Sequence, residues 1–255
     1  MNKYEPFELH DYKLVIPKKY EDAFLDEGLE LVFEISEYEY YRQILASFYW
    51  VDNWYSGQDW TIPFYKIGEY KNGKFIEVMK EELLDSKVYF TRLNSVSPKD
   101  LGECKVCDEK EAFDLINQSN RCQSVMKLSK ELDKDIIVYL RPWMDMSKGY
   151  EFRIFVYEMK IVAISSNDYK ICNFTKDEII KRCSNLFNKC KFDIPLPDVC
   201  IDVFIDDKSA DNDKIIEFNS YGSWGNADSG LFNWKEDKAL LMGGISDIEV
   251  RYFDE

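Results

Sequence analysis

A carboxylate stands in the middle of an otherwise apolar strand, and any fold of this chain must supply a partner for it. The segment DVCIDVFID predicts a strand over residues 199–205 in which Asp202 is the one polar side chain. Both faces of that strand are otherwise apolar, so we expect it to be buried on both sides. Because burying an unpaired charge costs several kcal/mol, Asp202 should contact a cation, either an arginine or a metal ion.

The next predicted strand carries two more oxygen ligands. In KIIEFNSYG the alternation puts Glu217 and Asn219 on one face and Phe218 on the other. A polar loop, DDKSADND, separates the two strands, so they are expected to pair antiparallel and to bring three oxygen side chains together. Asp, Glu and Asn form a hard donor set that suits Mg²⁺ or Mn²⁺, and magnesium commonly shares its ligands with phosphates. The alternative is that Asp202 pairs with Arg153 and the other two merely end a strand.

Three segments carry arginine or lysine where an anion would be bound. Arg153 shares the polar face of a predicted hairpin strand with Glu151, in YEFRIFVYEMKIVAIS, and Arg141 ends a strand in YLRPWMD. The third segment, FTRLNSVSPKD, places Arg92 on a strand and Lys99 after a polar loop. Arginine inside an apolar strand is rare without an anionic partner, and phosphate oxygens would serve. The loop is rich in Ser and Asn and can hold phosphate, although it lacks glycine and is not a Walker loop.

Hydrophobic periodicity predicts an α+β chain with a largely antiparallel carboxyl-terminal half. Strands are predicted over residues 13–16, 29–35, 74–78, 87–93, 135–143, 151–157, 160–165, 199–205 and 214–219, and helices over 37–50, 108–117, 124–132 and 176–188. The chain has no Pro-, Gly- or Ser-rich linker, which favours one compact body. The aromatic stretch 48–65 is interpreted as core or protein interface, with a sugar or base-stacking platform as the alternative.

The composition excludes several classes of partner and site. The 255 residues include 33 Lys and Arg against 48 Asp and Glu, and the net charge of -15 disfavours nucleic acids and membrane surfaces and favours a basic protein partner. The single histidine, His10, makes an imidazole triad or a histidine-rich zinc site untenable. The seven cysteines are odd in number and irregularly spaced, and the chain has no apolar leader, so we expect a cytoplasmic protein with reduced thiols.

Five sequence blocks, read in order, are similar to those of one protein family. FTRLNSVSPKD, LRPW, EFRIFV with KIVAIS, DVFID and IIEFNSYGSWGNADSGLFNW follow the order and approximate spacing of the cell division cycle protein 123 family, also called D123. The resemblance runs from about residue 88 to residue 234. It implies an α+β, ATP-grasp-like fold of two lobes whose antiparallel sheets sandwich a nucleotide cleft. The amino-terminal lobe, 1–142, would carry the phosphate-contacting strand and loop, and the carboxyl-terminal lobe, 143–255, the magnesium ligands.

The resemblance also implies roles for residues of the amino-terminal lobe. Arg92 stands where the family has a lysine that reaches the phosphates, and Ser97 and Lys99 lie in the loop beside it. Arg141 and Trp143 fall on the segment that joins the lobes, where adenine would be held.

In the carboxyl-terminal lobe the resemblance implies a site for phosphates and metal. Arg153 matches the arginine of the EFR motif that lies near the terminal phosphates, and Glu151 belongs to the same motif. Asp202, Glu217 and Asn219 match magnesium ligands, which agrees with the oxygen trio read from the strands.

Four positions depart from the family pattern. Arg92 replaces lysine, Pro142 stands in LRPW where LRKW is usual, Glu217 replaces aspartate, and Ser220 replaces proline. The arginine keeps the charge but exchanges a point cation for a broad fork, and the proline removes one backbone donor. Glutamate lengthens the ligand arm by one methylene and keeps the carboxylate.

By this resemblance, the chain is expected to bind ATP and Mg²⁺ and to act as a monomeric assembly chaperone for translation initiation factor 2. It would help the gamma subunit of that factor join the alpha subunit. One alternative is an ATP-grasp ligase that activates a carboxylate through an acyl phosphate. Another is a vestigial nucleotide-binding module that serves as a protein-interaction adaptor. The sequence identifies no acceptor pocket for a ligase, and it leaves ATP turnover open.

Overall fold

The fold is α+β and contains two five-stranded sheets. The computed structural model describes residues 61–62, 65–71, 74–77, 88–93, 96–131, 136–192, 194, 198–222 and 228–254. The described residues divide into two compact units, 61–145 and 146–254. Each unit has its own five-stranded sheet. The division lies close to the predicted lobe boundary at 142/143.

The amino-terminal unit is built on an antiparallel sheet that carries two helices. Its strands are β1 (Tyr65–Lys71), β2 (Lys74–Glu77), β3 (Tyr89–Leu93), β4 (Lys105–Val106) and β5 (Ile136–Pro142), in the order β2-β1-β5-β3-β4. Helices α1 (Glu109–Gln118) and α2 (Asn120–Glu131) lie between β4 and β5 in the chain. The helix α1 begins after Asp108, whose carboxylate accepts a hydrogen bond from Glu111 N at 2.8 Å.

The two faces of this sheet differ in chemistry. Tyr89, Thr91 and Leu93 of β3 are buried, as are Val138 and Leu140 of β5. The helix α1 contacts β3 and β4 and buries two apolar side chains of its own. We infer that the helices cover this apolar face, because alternate residues of a strand point to opposite faces. The opposite face carries the arginines of β3 and β5.

The carboxyl-terminal unit is built on a sheet with one parallel pair. Its strands are β6 (Gly149–Tyr157), β7 (Lys160–Ser166), β8 (Val199–Asp206), β9 (Lys214–Ser220) and β10 (Glu249–Arg251), in the order β10-β7-β6-β8-β9. The strand β10 runs parallel to β7, and the other neighbours are antiparallel. The helices are α3 (Lys176–Cys190) and the single turn α4 (Lys238–Leu241).

Both faces of the carboxyl-terminal sheet are covered. The helix α3 contacts β8 and buries Ile179, Cys183, Leu186, Phe187 and Cys190. A separate cluster joins Phe155, Ala163 and Cys200 of the sheet to Phe232 and Leu241 of the segment 228–244. All eight residues of β8 are buried between these layers. The prediction of a strand buried on both sides is confirmed.

Most of the predicted elements that fall on described residues are confirmed. The strands β2, β3 and β5 to β9 and the helices α1 to α3 match the predicted segments, and β8 and β9 pair antiparallel as expected. The strands β1, β4 and β10 were not predicted. The helix α2 begins at Asn120, earlier than predicted, because Asp100 accepts a hydrogen bond from Asn120 N at 2.8 Å and Ser119 Oγ accepts one from Cys122 N at 3.1 Å. The predicted elements at 13–16, 29–35 and 37–50, and most of the aromatic stretch, lie outside the described residues.

No helix within the described ranges combines the length and the apolar character that crossing a membrane requires.

Candidate functional site

The carboxylate of the apolar strand is paired with arginine. Arg153 on β6 lies directly opposite Asp202 on β8, so both side chains share one face of the sheet. Arg153 Nε donates to Asp202 Oδ1 at 2.7 Å, and Arg153 Nη2 donates to Asp202 Oδ2 at 2.8 Å. The two residues are 6% and 3% exposed. The structure therefore contains the Asp202–Arg153 salt bridge, which was one of the two alternatives predicted from the sequence.

The pair keeps Arg153 charged in a buried position. Burial by itself would lower the pKa of the Arg153 guanidinium, but the charge and hydrogen bonds of Asp202 outweigh burial and raise that pKa above its ordinary value. Two parallel hydrogen bonds from a guanidinium to a carboxylate are also the strongest geometry for such a pair. A fixed positive charge therefore lies on this face of the sheet.

The three predicted oxygen ligands lie together on the same face as Arg153. Glu217 on β9 is directly opposite Asp202, and Asn219 is opposite Cys200, which lies two residues before Asp202 on β8. Asn219 Nδ2 donates to Asp202 Oδ2 at 3.0 Å. Glu151, two residues before Arg153 on β6, is on this face as well, as the alternation predicted.

The donor chemistry of the trio fits a hard divalent cation. Asp202 and Glu217 supply carboxylate oxygens and Asn219 supplies an amide oxygen, which are ligands that Mg²⁺ accepts. A metal held by all three would require the Asn219 amide to present its oxygen in place of the nitrogen that now faces Asp202. No three His, Cys, Asp or Glu side chains form a metal-binding group in the described part of the chain. Magnesium binding by this trio stays a prediction.

A segment that follows β9 is fastened to the sheet beside these residues. Arg153 Nη1 donates to the backbone carbonyl of Asp228, and Leu231 N donates to Ser165 Oγ at 2.8 Å. Ser165 lies opposite Arg153 on β7 and is fully buried. Sequence reading missed Ser165 and Asp228. A serine at the end of the apolar run KIVAIS was the available signal, because a buried hydroxyl needs a hydrogen-bond partner.

The arginines of the amino-terminal unit share one face of its sheet. Arg92 on β3 is opposite Tyr139 on β5, and Phe90 is opposite Arg141. The Arg141 guanidinium carbon lies 4.4 Å from the centre of the Phe90 ring, a cation–π contact. Arg92 is buried, and its Nε donates to Leu93 O at 3.0 Å.

Two lysines join the arginines on this face. Lys66 on β1 lies opposite Tyr139, and Lys105 on β4 lies opposite Phe90. Lys105 Nζ is 5.1 Å from the centre of the Trp143 ring. We call this surface the cationic face and define it by Lys66, Arg92, Lys105, Arg141 and the rings of Phe90, Tyr139 and Trp143. Sequence reading missed both lysines, because β1 contains a glycine and β4 has only two residues, so neither strand gives a clear alternation.

The predicted phosphate loop leads away from β3. Ser97 is buried, whereas Lys99 is exposed at the start of a single 3-10 turn, Lys99–Leu101. The next residue, Asp100, accepts hydrogen bonds from Ser119 Oγ at 2.5 Å and from Asn120 N at 2.8 Å. The loop that carries Lys99 is therefore tied to the start of α2. Arg92, Ser97, Lys99, Arg141 and Trp143 belong to the amino-terminal unit, and the other predicted site residues belong to the carboxyl-terminal unit.

Comparison with known proteins identifies one family. Residues 109–253, more than half of the chain, match the model of the D123 family. A CDC123-like protein of Acanthamoeba polyphaga mimivirus is 30% identical over 88% of this chain and 88% of its own length.

Two cellular relatives match a smaller part of the chain. The translation initiation factor eIF2 assembly proteins of Xenopus laevis and Candida albicans are 33% and 27% identical over 43% and 58% of this chain. The chain spans 33% and 48% of the lengths of these two relatives.

Solved structures share the architecture. The structure of Cdc123 from Schizosaccharomyces pombe has a TM-score of 0.54 and 24% sequence identity, over 66% of this chain and 73% of that chain. This likeness, with the two antiparallel-rich sheets, confirms the predicted α+β fold class. The ATP-grasp-like nucleotide cleft stays a prediction.

Proposed function

We propose, from the premise that this chain belongs to the D123 family, that it binds ATP with Mg²⁺ and acts as an assembly chaperone on translation initiation factor 2, with the gamma subunit as its partner. The names of the Xenopus and Candida relatives support the assembly role. The observation that carries the nucleotide part is one face of the carboxyl-terminal sheet, where Arg153 lies with Asp202, Glu217 and Asn219. These residues all fall inside the family-matched segment.

In this proposal Asp202, Glu217 and Asn219 hold the metal, and Arg153 supplies a fixed positive charge beside it. Magnesium, when bound, would neutralise phosphate oxygens. The coplanar donors of a guanidinium match phosphate as well as carboxylate, so Arg153 can exchange part of its pairing with Asp202 for phosphate oxygens. The net result is a site that favours a metal and an anion together.

The cationic face supports the same proposal from the amino-terminal unit. Lys105, Arg92 and Arg141 bring positive charge to one surface of a chain whose net charge is -15, and Lys66 on that face is paired with Glu69. Local positive charge of this kind can hold an anion against the field of the whole protein. The rings of Phe90, Tyr139 and Trp143 on the same face are suited to packing against a base.

The variant Glu217→Gln tests the metal assignment with little change in shape, because Glu217 is only partly buried. We expect the affinity for ATP in the presence of Mg²⁺, measured by calorimetry, to fall about tenfold or more, since a charged ligand becomes neutral. Glu236→Gln, an exposed carboxylate of the same unit, is the matched control and should bind as the wild type does. Equal affinity in Glu217→Gln and wild type would remove the metal assignment.

The variant Asp202→Ala should abolish ATP binding. Because it also leaves Arg153 buried without its carboxylate, its thermal unfolding must be measured alongside the calorimetry. A folded Asp202→Ala protein that binds ATP with unchanged affinity would contradict the proposed site, whereas an unfolded one leaves Glu217→Gln to decide.

The chaperone role is tested with purified gamma and alpha subunits of translation initiation factor 2. The full chain with ATP and Mg²⁺ should increase the amount of alpha–gamma complex recovered by gel filtration. The Glu217→Gln variant should increase it less than Glu236→Gln does. No increase with wild-type protein would contradict the chaperone role without bearing on ATP binding.

A further inference from the structure

Two large apolar side chains lie in water on the carboxyl-terminal unit. Tyr169 is 93% exposed and Ile171 is 57% exposed, and both lie just after β7. The Tyr169 ring centre is 6.0 Å from that of Phe253. We call these three residues the edge patch. Single exposed apolar residues are common, but three in contact on one surface are a feature of binding sites.

The loop that presents the edge patch is fixed by its own hydrogen bonds. Ser166 Oγ donates to Asp168 O at 2.7 Å, and Asp168 Oδ1 accepts from Lys170 N at 3.4 Å. The side chain of Lys170 turns inward, where its Nζ donates to Met146 O at 2.6 Å and to Gly149 O at 2.8 Å. The exposed ring therefore stands on an ordered support, which lowers the entropy cost of binding.

The edge patch lies beside the outer strand of the sheet. Ile171 forms an isolated parallel bridge with Phe253, and Cys172 N donates to Phe253 O at 2.7 Å. Among the described strands, β10 is the outermost on this side of the order β10-β7-β6-β8-β9. An outer strand can accept an added strand from another chain through its backbone groups. Since β10 has only three residues, the apolar patch must supply part of the binding energy.

The charges along this edge are mostly negative. Asp247 and Asp254 are exposed, and Glu249 is half-buried. Glu249 Oε2 lies 3.5 Å from Lys176 Nζ, and Arg251 Nη1 and Nη2 donate to the Asp237 carboxylate at 2.8 and 2.7 Å. The positive groups near the patch are thus already engaged by carboxylates, since Lys170 Nζ also lies 3.6 Å from Asp168 Oδ2. The exposed carboxylates of Asp247 and Asp254 are in excess of these pairs. The edge offers negative charge to whatever binds there.

We propose that the edge patch docks an extended, lysine- or arginine-rich segment of a partner protein, which pairs with β10 and covers Tyr169 and Ile171. Charge complementarity decides this occupant, because acidic residues flank the patch and the chain has a net charge of -15. A second copy of this chain would bring the same acidic edge against itself, and an anionic surface would be repelled. The inference does not depend on nucleotide binding.

The test uses the full chain and a fluorescein-labelled peptide of alternating lysine and valine, with glutamate in place of lysine in the control peptide. Wild type should bind the lysine peptide, and fluorescence anisotropy should show weaker binding at higher salt. Tyr169→Ser should weaken that binding about tenfold. Phe192→Ser, which removes a 70% exposed ring outside the patch, is the matched control and should leave the affinity unchanged.

The result can overturn the inference in three ways. The Tyr169 ring is almost fully in water, so Tyr169→Ser and wild type should have the same midpoint of thermal unfolding and can be compared directly. Equal binding of the lysine peptide by both proteins, or no preference over the glutamate peptide, contradicts the proposal. A dimer of the wild type that Tyr169→Ser abolishes would identify the patch as a self-association surface instead.

Discussion

At the scale of single residues, Arg153 and Asp202 resolve the problem of a charge inside an apolar strand. A buried ion pair adds little stability compared with an apolar pair of similar size, although leaving one partner alone is costly. The pair is therefore poorly explained as a source of stability. Its position beside Glu217 and Asn219 supports the proposed binding role instead.

Replacing both members of the pair should harm the fold less than removing one. Asp202→Ala should lower the free energy of unfolding by about 3–5 kcal/mol, because it leaves a buried guanidinium without its carboxylate. The double variant Arg153→Met with Asp202→Leu should lower the free energy of unfolding by clearly less than Asp202→Ala does. Urea unfolding of both proteins checks this, and an equal loss in the two would mean that the pair itself stabilises the sheet.

Gly230 is required where the segment after β9 meets the sheet. Its φ is +58°, and an added Cβ would lie 2.3 Å from Ser165 Oγ. Gly230→Ala should therefore lower the free energy of unfolding by more than the roughly 1 kcal/mol that a positive φ costs alanine. Gly243→Ala is the control, because Gly243 has a φ of +76° but its Cβ would meet nothing closer than 3.5 Å. Similar urea midpoints for the two variants would contradict the close-contact argument.

At the scale of elements, the proposed site rests on the inner strand β8 and the helix that covers it. The strand pairs with β6 on one side and β9 on the other, so residues from three strands meet on one face. The helix α3 begins with a capping box in which Glu178 N donates to Thr175 Oγ1 at 3.3 Å and Thr175 N donates to Glu178 Oε2 at 2.9 Å. A fixed helix start sets the layer against which β8 is buried.

Removing the cap should destabilise the carboxyl-terminal unit. Thr175→Ala should lower the free energy of unfolding by about 1 kcal/mol at neutral pH. Hydrogen bonds from Thr175 hold the pKa of Glu178 below its ordinary value of 4.5. The stability that these bonds contribute is therefore present above pH 4.5 and is lost as the pH falls through the folded pKa. The difference from wild type should therefore shrink in acid. Asn185→Ala, an exposed and uncharged site on α3, should show no such pH dependence in urea unfolding.

At the scale of the whole molecule, the cysteines behave as core residues. All seven are free thiols, and Cys107 is exposed whereas the other six are buried. Burial raises the pKa of Cys122 to about 11 and raises those of Cys183 and Cys200 further. Buried neutral thiols of this kind pack as small apolar side chains.

Thiol labelling should therefore distinguish the exposed Cys107 from the six buried cysteines. Native protein at mildly alkaline pH should react rapidly with one equivalent of a thiol reagent, and protein in denaturant with seven. Cys107→Ser should remove the fast reaction and leave six thiols in denaturant. Rapid labelling of more than one thiol in the native protein, counted by mass spectrometry, would contradict the packing described for the core.

Local features of the chain were readable because they depend on neighbouring residues. The alternation around Asp202 and around Glu217 and Asn219 predicted both strands and the face that each side chain occupies. The strands β1, β4 and β10 were not readable. The strand β1 contains a glycine that interrupts its alternation. A two- or three-residue strand such as β4 or β10 has no periodicity, and β10 is a strand only because β7 offers it a parallel neighbour.

The sequence alone determined that Asp202 needs a cation, that two oxygen ligands would share its face, and which family the blocks resemble. The tertiary structure decided that Arg153 is the cation, because strand register sets which side chains face each other across a sheet. It also decided that Lys66 and Lys105 join the arginines on the cationic face, and that Tyr169 stands in water beside β10. These are contacts between residues far apart in the chain, and no local pattern encodes them.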